Sequence, residues 1–144
     1  MRRGIPGRRI AAMARYYDID AANARVAEVR PLLQQLRDDR DAIARAQAEL
    51  ARFRLSNGSS DHAQELARRE QEIRDLVRRM EAAVVQIDAW SVTLRDISTG
   101  LIDFPALVSG RPIWLCWRLG EGDIEWWHEY DTGFGGRKPL AELH

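Results

Sequence analysis

An α+β fold is predicted for this chain: a long antiparallel two-helix coiled-coil hairpin followed by a small tryptophan-rich antiparallel β-module. Three observations predict it. Apolar residues recur seven apart on both sides of a polar, glycine-containing break at residues 56–61, the period of a helix that lies along a partner. All five tryptophans fall in the last 55 residues. Those same residues carry short apolar runs separated by glycine and proline turns.

Residues 1–15 read as a basic, disordered leader. They carry Arg2, Arg3, Arg8, Arg9 and Arg15 and no acid, and they lack the apolar core of a signal peptide. Met13 is an alternative start. Because the whole chain of 144 residues is formally neutral, the remainder carries −5, which argues against nucleic acid as a partner of the body. A composition of 45% hydrophobic and 31% charged residues excludes wholesale disorder. No apolar run approaches the roughly 18 residues of a membrane span, so no membrane role is expected. The single cysteine, Cys116, excludes an internal disulfide and fits a reducing cytoplasm.

Residues 16–90 form the predicted helical hairpin. Asp18 or Asp20 caps its first helix, since a carboxylate there accepts the free backbone N–H groups. Val29, Leu36, Ile43 and Leu50 mark the first stripe, and Pro31 predicts a bend or a helix restart near Arg30. Ser56-Asn57-Gly58-Ser59-Ser60-Asp61 supplies the tip, with Asp61 as the next cap. Leu66, Ile73, Met80 and Ile87 form the second stripe, filled in by Leu76, Val77, Val84 and Trp90. One hairpin gives only a thin two-layer core, which predicts a partner helix or a homo-oligomer, most simply a homodimer.

Residues 91–144 form the predicted β-module. Leu94–Ile97 and Leu101–Phe104 flank Ser98-Thr99-Gly100. Ile113–Arg118 turns through Leu119-Gly120-Glu121-Gly122-Asp123 into Ile124–Tyr130, and the tail from Gly133 reads as an irregular closing loop. Several blocks in this order resemble one family of bacterial proteins: Arg15-Tyr16-Tyr17 with Ala22-Asn23, Gly100-Leu101-Ile102-Asp103-Phe104-Pro105, Leu115-Cys116-Trp117-Arg118-Leu119-Gly120-Glu121, Trp127-His128-Glu129, and Gly133-Phe134-Gly135-Gly136-Arg137-Lys138-Pro139-Leu140. Together they resemble the domain of unknown function 2203 family from the Arg15 region to near the C-terminus. That resemblance implies the helical-plus-β architecture and no activity. Lys138 departs from it, standing where glutamine is expected.

Two constellations carry candidate chemistry. If Arg118 pairs with Ile124, Cys116 faces Trp126 and Trp114 faces His128, which puts Cys116 and His128 diagonally on one face, about 7–8 Å apart at the backbone. Such a pair could share a zinc or iron ion, with Asp103 or Glu121 adding a carboxylate. A one-residue slip would separate the two. Alternatively, Asp103, Glu121 and His128 form an acid/base set with Arg137 holding an anionic substrate, and the Gly-Phe-Gly-Gly-Arg loop presents backbone N–H groups to it. Against both stands a plainer reading: a buried cysteine, a hydrogen-bonded histidine, an Arg137 salt bridge, and at least three tryptophans used as core. The residues thus favour a non-catalytic, self-associating or partner-docking protein. The alternative is a small-molecule or metal-binding module, or a small enzyme, with its polar site in the tryptophan-rich region.

Overall fold

A computed structural model describes residues 15–56 and 61–143. The predicted leader up to residue 14 and the predicted tip residues 57–60 lie outside the described residues. Two long helices, α1 (Ile19–Leu55) and α2 (His62–Ala89), lead into five strands: β1 (Thr93–Asp96), β2 (Leu101–Val108), β3 (Arg111–Arg118), β4 (Trp126–Glu129) and β5 (Lys138–Pro139). The strands form one antiparallel sheet in sequence order. No helix among the described residues is long and apolar enough to cross a membrane.

The Asp18 carboxylate starts α1 by accepting the Ala21 N–H at 2.7 Å. The helix then runs through Pro31 without the expected restart. Proline removes only its own hydrogen bond, to the Ala27 carbonyl, and both residues lie on the exposed side where water can replace it. At about 1.5 Å per residue the 37-residue helix is some 55 Å long. The two helices run antiparallel, since Asp39 meets Arg79 near the base while Arg54 meets Glu70 near the tip.

Burial is uneven along this arm. Val26, Val29, Leu33 and Leu36 of α1 and Ala83 and Ile87 of α2 pack with Ile102, Phe104, Ile113, Leu115, Trp117 and Trp127 from one face of the sheet. Toward the tip the stripe residues Ile43, Leu66 and Ile73 are only half-buried, and Leu50 alone of that stripe is fully covered. Val77 and Val84, expected within the stripe, are 39% and 38% exposed. The sheet, rather than the opposite helix, supplies most of the cover.

The strand boundaries differ from expectation in two places. β2 continues through Pro105 to Val108, although proline has no N–H for a ladder. β1 has already ended by then, its last pair being Thr93 with Asp103, and the Pro105 carbonyl accepts the Tyr17 N–H at 2.8 Å. The closing tail is not wholly irregular, because β5 pairs with Trp126 and Trp127. The β3–β4 register is the one expected, with Cys116 opposite Trp126 and Trp114 opposite His128.

Gly100 closes the β1–β2 turn at φ +67°, and a Cβ there would stand 2.5 Å from Leu119 Cγ. Both the left-handed backbone and the clash oppose a side chain. Gly100→Ala is therefore expected to destabilise by about 2–4 kcal/mol, read as a lowered urea midpoint at unchanged slope.

Candidate functional site

Alternation along the strands sorts the sheet into two faces. Ile102, Phe104, Leu115, Trp117 and Trp127 face the helices, so Asp103, Cys116 and His128 face the other way. All three are nonetheless buried. What covers them is the segment after β4, where Tyr130 stacks on Trp114 at 4.5 Å and Phe134 begins a single 3-10 turn. That segment folds tightly because Gly136 has no side chain: a Cβ would lie 2.8 Å from Thr132 Oγ1.

One ligand-capable atom each from Asp103, Cys116 and His128 lies within 4.8 Å of the others. His128 Nδ1 is 2.9 Å from the Glu129 carbonyl, which only accepts, so Nδ1 carries a hydrogen. This fixes Nε2 toward Asp103 Oδ2 at 3.0 Å. The same Oδ2 accepts the Arg95 Nε–H at 2.8 Å. Asp103 Oδ1 is buried and makes no hydrogen bond among the described residues. A buried carboxylate oxygen left without a partner is an expensive arrangement.

Arg95 was not foreseen as a site residue. The register slips between Leu94 and Asp96, and this bulge turns Arg95 toward Asp103. The Arg95 guanidinium also lies 4.9 Å from the Trp114 ring. A cavity of about 260 Å³ opens over the cluster, lined by Asp103, Cys116, Arg95, Tyr130, Thr132 and Phe134 among others.

Burial pushes the Cys116 thiol up to about 12; the Asp103 charge adds to the rise and Arg137 opposes it. A thiol of this kind is not a free nucleophile. At pH 8 its thiolate fraction is about one in ten thousand. Iodoacetamide is therefore expected to leave Cys116 of the metal-free, folded protein unmodified at pH 8 and to react fully in urea, as mass spectrometry would show. The sign for stability follows: the unfolded thiol ionises near 9 and the folded one later, so alkali between these values favours unfolding.

The acid/base set that included Glu121 is not assembled. Arg137 Nη2 holds Glu121 Oε1 at 2.8 Å, and the Arg118 N–H holds it at 3.0 Å. Glu121 is thus held by Arg137 and lies outside the group formed by Asp103, Cys116 and His128, whereas Arg137 borders that group through Cys116. Two of the glycine loop's N–H groups are also spent internally, Gly136 on Gly133 O and Arg137 on Phe134 O.

Three tryptophans serve the core, as expected: Trp117 and Trp127 within it and Trp90 packed against it. Only Trp117 and Trp127 are fully buried, while Trp90, Trp114 and Trp126 are half-buried. Arginines cover the exposed rings: Arg25 lies 4.6 Å from Trp90, Arg95 4.9 Å from Trp114, and Arg137 5.0 Å from Trp126. An arginine-rich chain can finish a small core with guanidinium planes where more aliphatic bulk would otherwise be needed.

Residues 15–140 match a family model described as an uncharacterized conserved protein (DUF2203). No curated protein and no solved structure matches the chain. The match extends over most of the sequence, from the residue before Tyr16 to the end of β5, and the chain belongs to this family.

Proposed function

We propose that this member of an uncharacterized family is a metal-binding protein, with Asp103, Cys116 and His128 holding a zinc or iron ion in the β-module. The observation that carries this reading is Asp103 Oδ1, buried and unpartnered beside a thiol and an oriented imidazole. A metal ion gives that oxygen a partner. It also takes the Nε2 lone pair of His128, while Nδ1–H keeps its carbonyl contact, the outer support common to metal-bound imidazoles. Arg95 keeps Oδ2 and leaves Oδ1 for the ion.

The distances suit this with a small contraction. Ligands around a tetrahedral ion at about 2.0–2.3 Å stand roughly 3.3–3.6 Å apart. One carboxylate oxygen, one ring nitrogen and the sulfur lie within 4.8 Å of one another, so closing by about 1 Å brings the three residues to ligand spacing. A mixed oxygen, nitrogen and sulfur set is one that zinc and iron accept. Three protein ligands below a cavity leave a fourth position for water or substrate, the arrangement of a catalytic rather than a closed structural site. The ion would have to displace the Cys116 proton, so binding should release acid and weaken as pH falls. A thiol ligand suits the reducing cytoplasm expected from a single cysteine.

Elemental analysis of the purified chain tests the proposal. About one equivalent of zinc or iron, lost in Cys116→Ala and in His128→Gln, is expected. Protein that is metal-free as isolated and binds neither ion on addition would overturn it.

One observation favours a second role, self-association of the arm. Val77 and Val84 lie seven apart and exposed on α2, with Val85 beside them at 67% exposure. Light scattering at micromolar concentration decides this: a dimer is expected, and a strict monomer removes the reading.

A further inference from the structure

A second polar depression lies where α1 meets the β1–β2 and β3–β4 turns. Its volume is about 460 Å³, and Arg37, Ser98, Thr99, Arg118 and Glu121 line it. It shares no lining residue with the cavity over Asp103 and Cys116.

Arg37 is the unusual residue here. It is half-buried, yet among the described residues it makes no hydrogen bond, ion pair or ring contact. The other half-buried arginines are all engaged. Arg25 holds Glu28 at 2.7 Å, Arg69 holds Glu65 at 3.0 Å, Arg137 holds Glu121 at 2.8 Å, and Arg30 covers Trp117 at 5.6 Å. A guanidinium cannot shed its charge and carries five donors, so partial burial without an acceptor is unfavourable.

The nearby carboxylates do not answer it. Asp96 accepts from Ser98 Oγ, Thr99 Oγ1 and the Thr99 N–H at 2.7–2.9 Å, and these bonds hold its pKa below the usual carboxylate range. Glu121 is neutralised by Arg137, and its contact with the Arg118 guanidinium is only a 3.8 Å pairing. Counted together, the guanidinium groups of Arg37, Arg118 and Arg137 outnumber the carboxylates of Asp96 and Glu121 by one, and the local balance is positive.

We infer that this groove binds the phosphate-type dianion of a small molecule, with the planar fork of Arg37 gripping the oxyanion and Arg118 as the second cation. A phosphate offers acceptors at the spacing of the guanidinium donors, which makes arginine its natural partner. The ligand is small because the groove is a single depression on a body of net −5 and not a basic track.

Titration of the isotope-labelled full chain, followed by amide chemical shifts, tests this. The probes are inorganic phosphate, glycerol phosphate and a short single-stranded oligonucleotide. Saturable shifts at Ser98, Thr99 and Gly120 are expected with the first two. A tighter fit for glycerol phosphate assigns the groove to phosphate esters, and a tighter fit for inorganic phosphate assigns it to the free ion. Arg37→Gln should weaken binding about tenfold or more. Arg37→Lys should fall between, since it keeps the charge and loses the fork. Arg45→Gln, at an exposed arginine of the same helix, should leave binding unchanged. Because Arg37 has no partner among the described residues, Arg37→Gln should not lower the melting temperature; if its spectrum shows lost fold, Arg37→Lys carries the test. Absent saturable shifts, equal weakening by Arg37→Gln and Arg45→Gln, or tightest binding of the oligonucleotide would each overturn the inference.

Discussion

Trp117→Ala is expected to lower the unfolding free energy by about 3–5 kcal/mol, a third or more of what a domain of this size ordinarily has. Trp117 is fully buried and faces the helices from near the end of β3, the central strand. Its Nε1–H reaches the Gly122 carbonyl at 2.7 Å and so fastens the β3–β4 turn to the core. Arg30 of α1 lies across the ring. The alanine variant removes the largest core side chain, the turn tether and one contact between helix and sheet together. Trp126→Ala, on the opposite face and half-buried, should cost distinctly less. Chemical denaturation of both variants at matched slopes checks the ranking. Equal costs would mean that the two faces of the sheet share the burden, contrary to the burial described above.

The contrast between these tryptophans also shows what the residues could and could not announce. Seven-residue spacing identified the two helices and their antiparallel return, because a helix side is fixed by local periodicity. It did not say that the sheet covers the arm's base more fully than the second helix does. That depends on where β2 and β3 land, which no local pattern encodes. The expected strand likewise stopped at Phe104, and only the shortness of β1 on the neighbouring edge lets β2 run on through Pro105.

The site was legible through register. Alternation put Cys116 and His128 on one face once a single pairing was assumed, but Asp103 was only one of two candidate carboxylates, and its place opposite Cys116 comes from the β2–β3 register. Arg95 was not legible, since a bulge adds a residue without a mark in the sequence. Glu121 and Arg137 were plausible as substrate ligands by residue type alone. Their mutual pairing is a three-dimensional fact, set by the turn at Gly120 and the loop at Gly136 bringing opposite charges together.

Asp103→Asn is the substitution that most sharply separates a metal centre from a buried polar network. Asparagine keeps the shape of the side chain. Its amide oxygen, placed at the Oδ2 position, can accept the Arg95 Nε–H, and the loss falls on the His128 Nε2 contact, which is made to that same oxygen. The metal-free fold should then change by no more than about 1 kcal/mol, the net worth of a typical hydrogen bond. Metal affinity should fall far more, by at least about 100-fold, because the change removes a charged ligand and not merely an outer support. The two effects are readable in one melting experiment. Zinc at a hundredfold excess over its dissociation constant should stabilise the native protein by about 2.7 kcal/mol, a rise on the order of 10 °C. Asp103→Asn should start from nearly the same melting temperature and gain almost nothing from the same zinc. If zinc raises both equally, the ion binds elsewhere. If zinc raises neither, the thiol, imidazole and carboxylate form a polar core whose unpartnered oxygen has no metal to explain it.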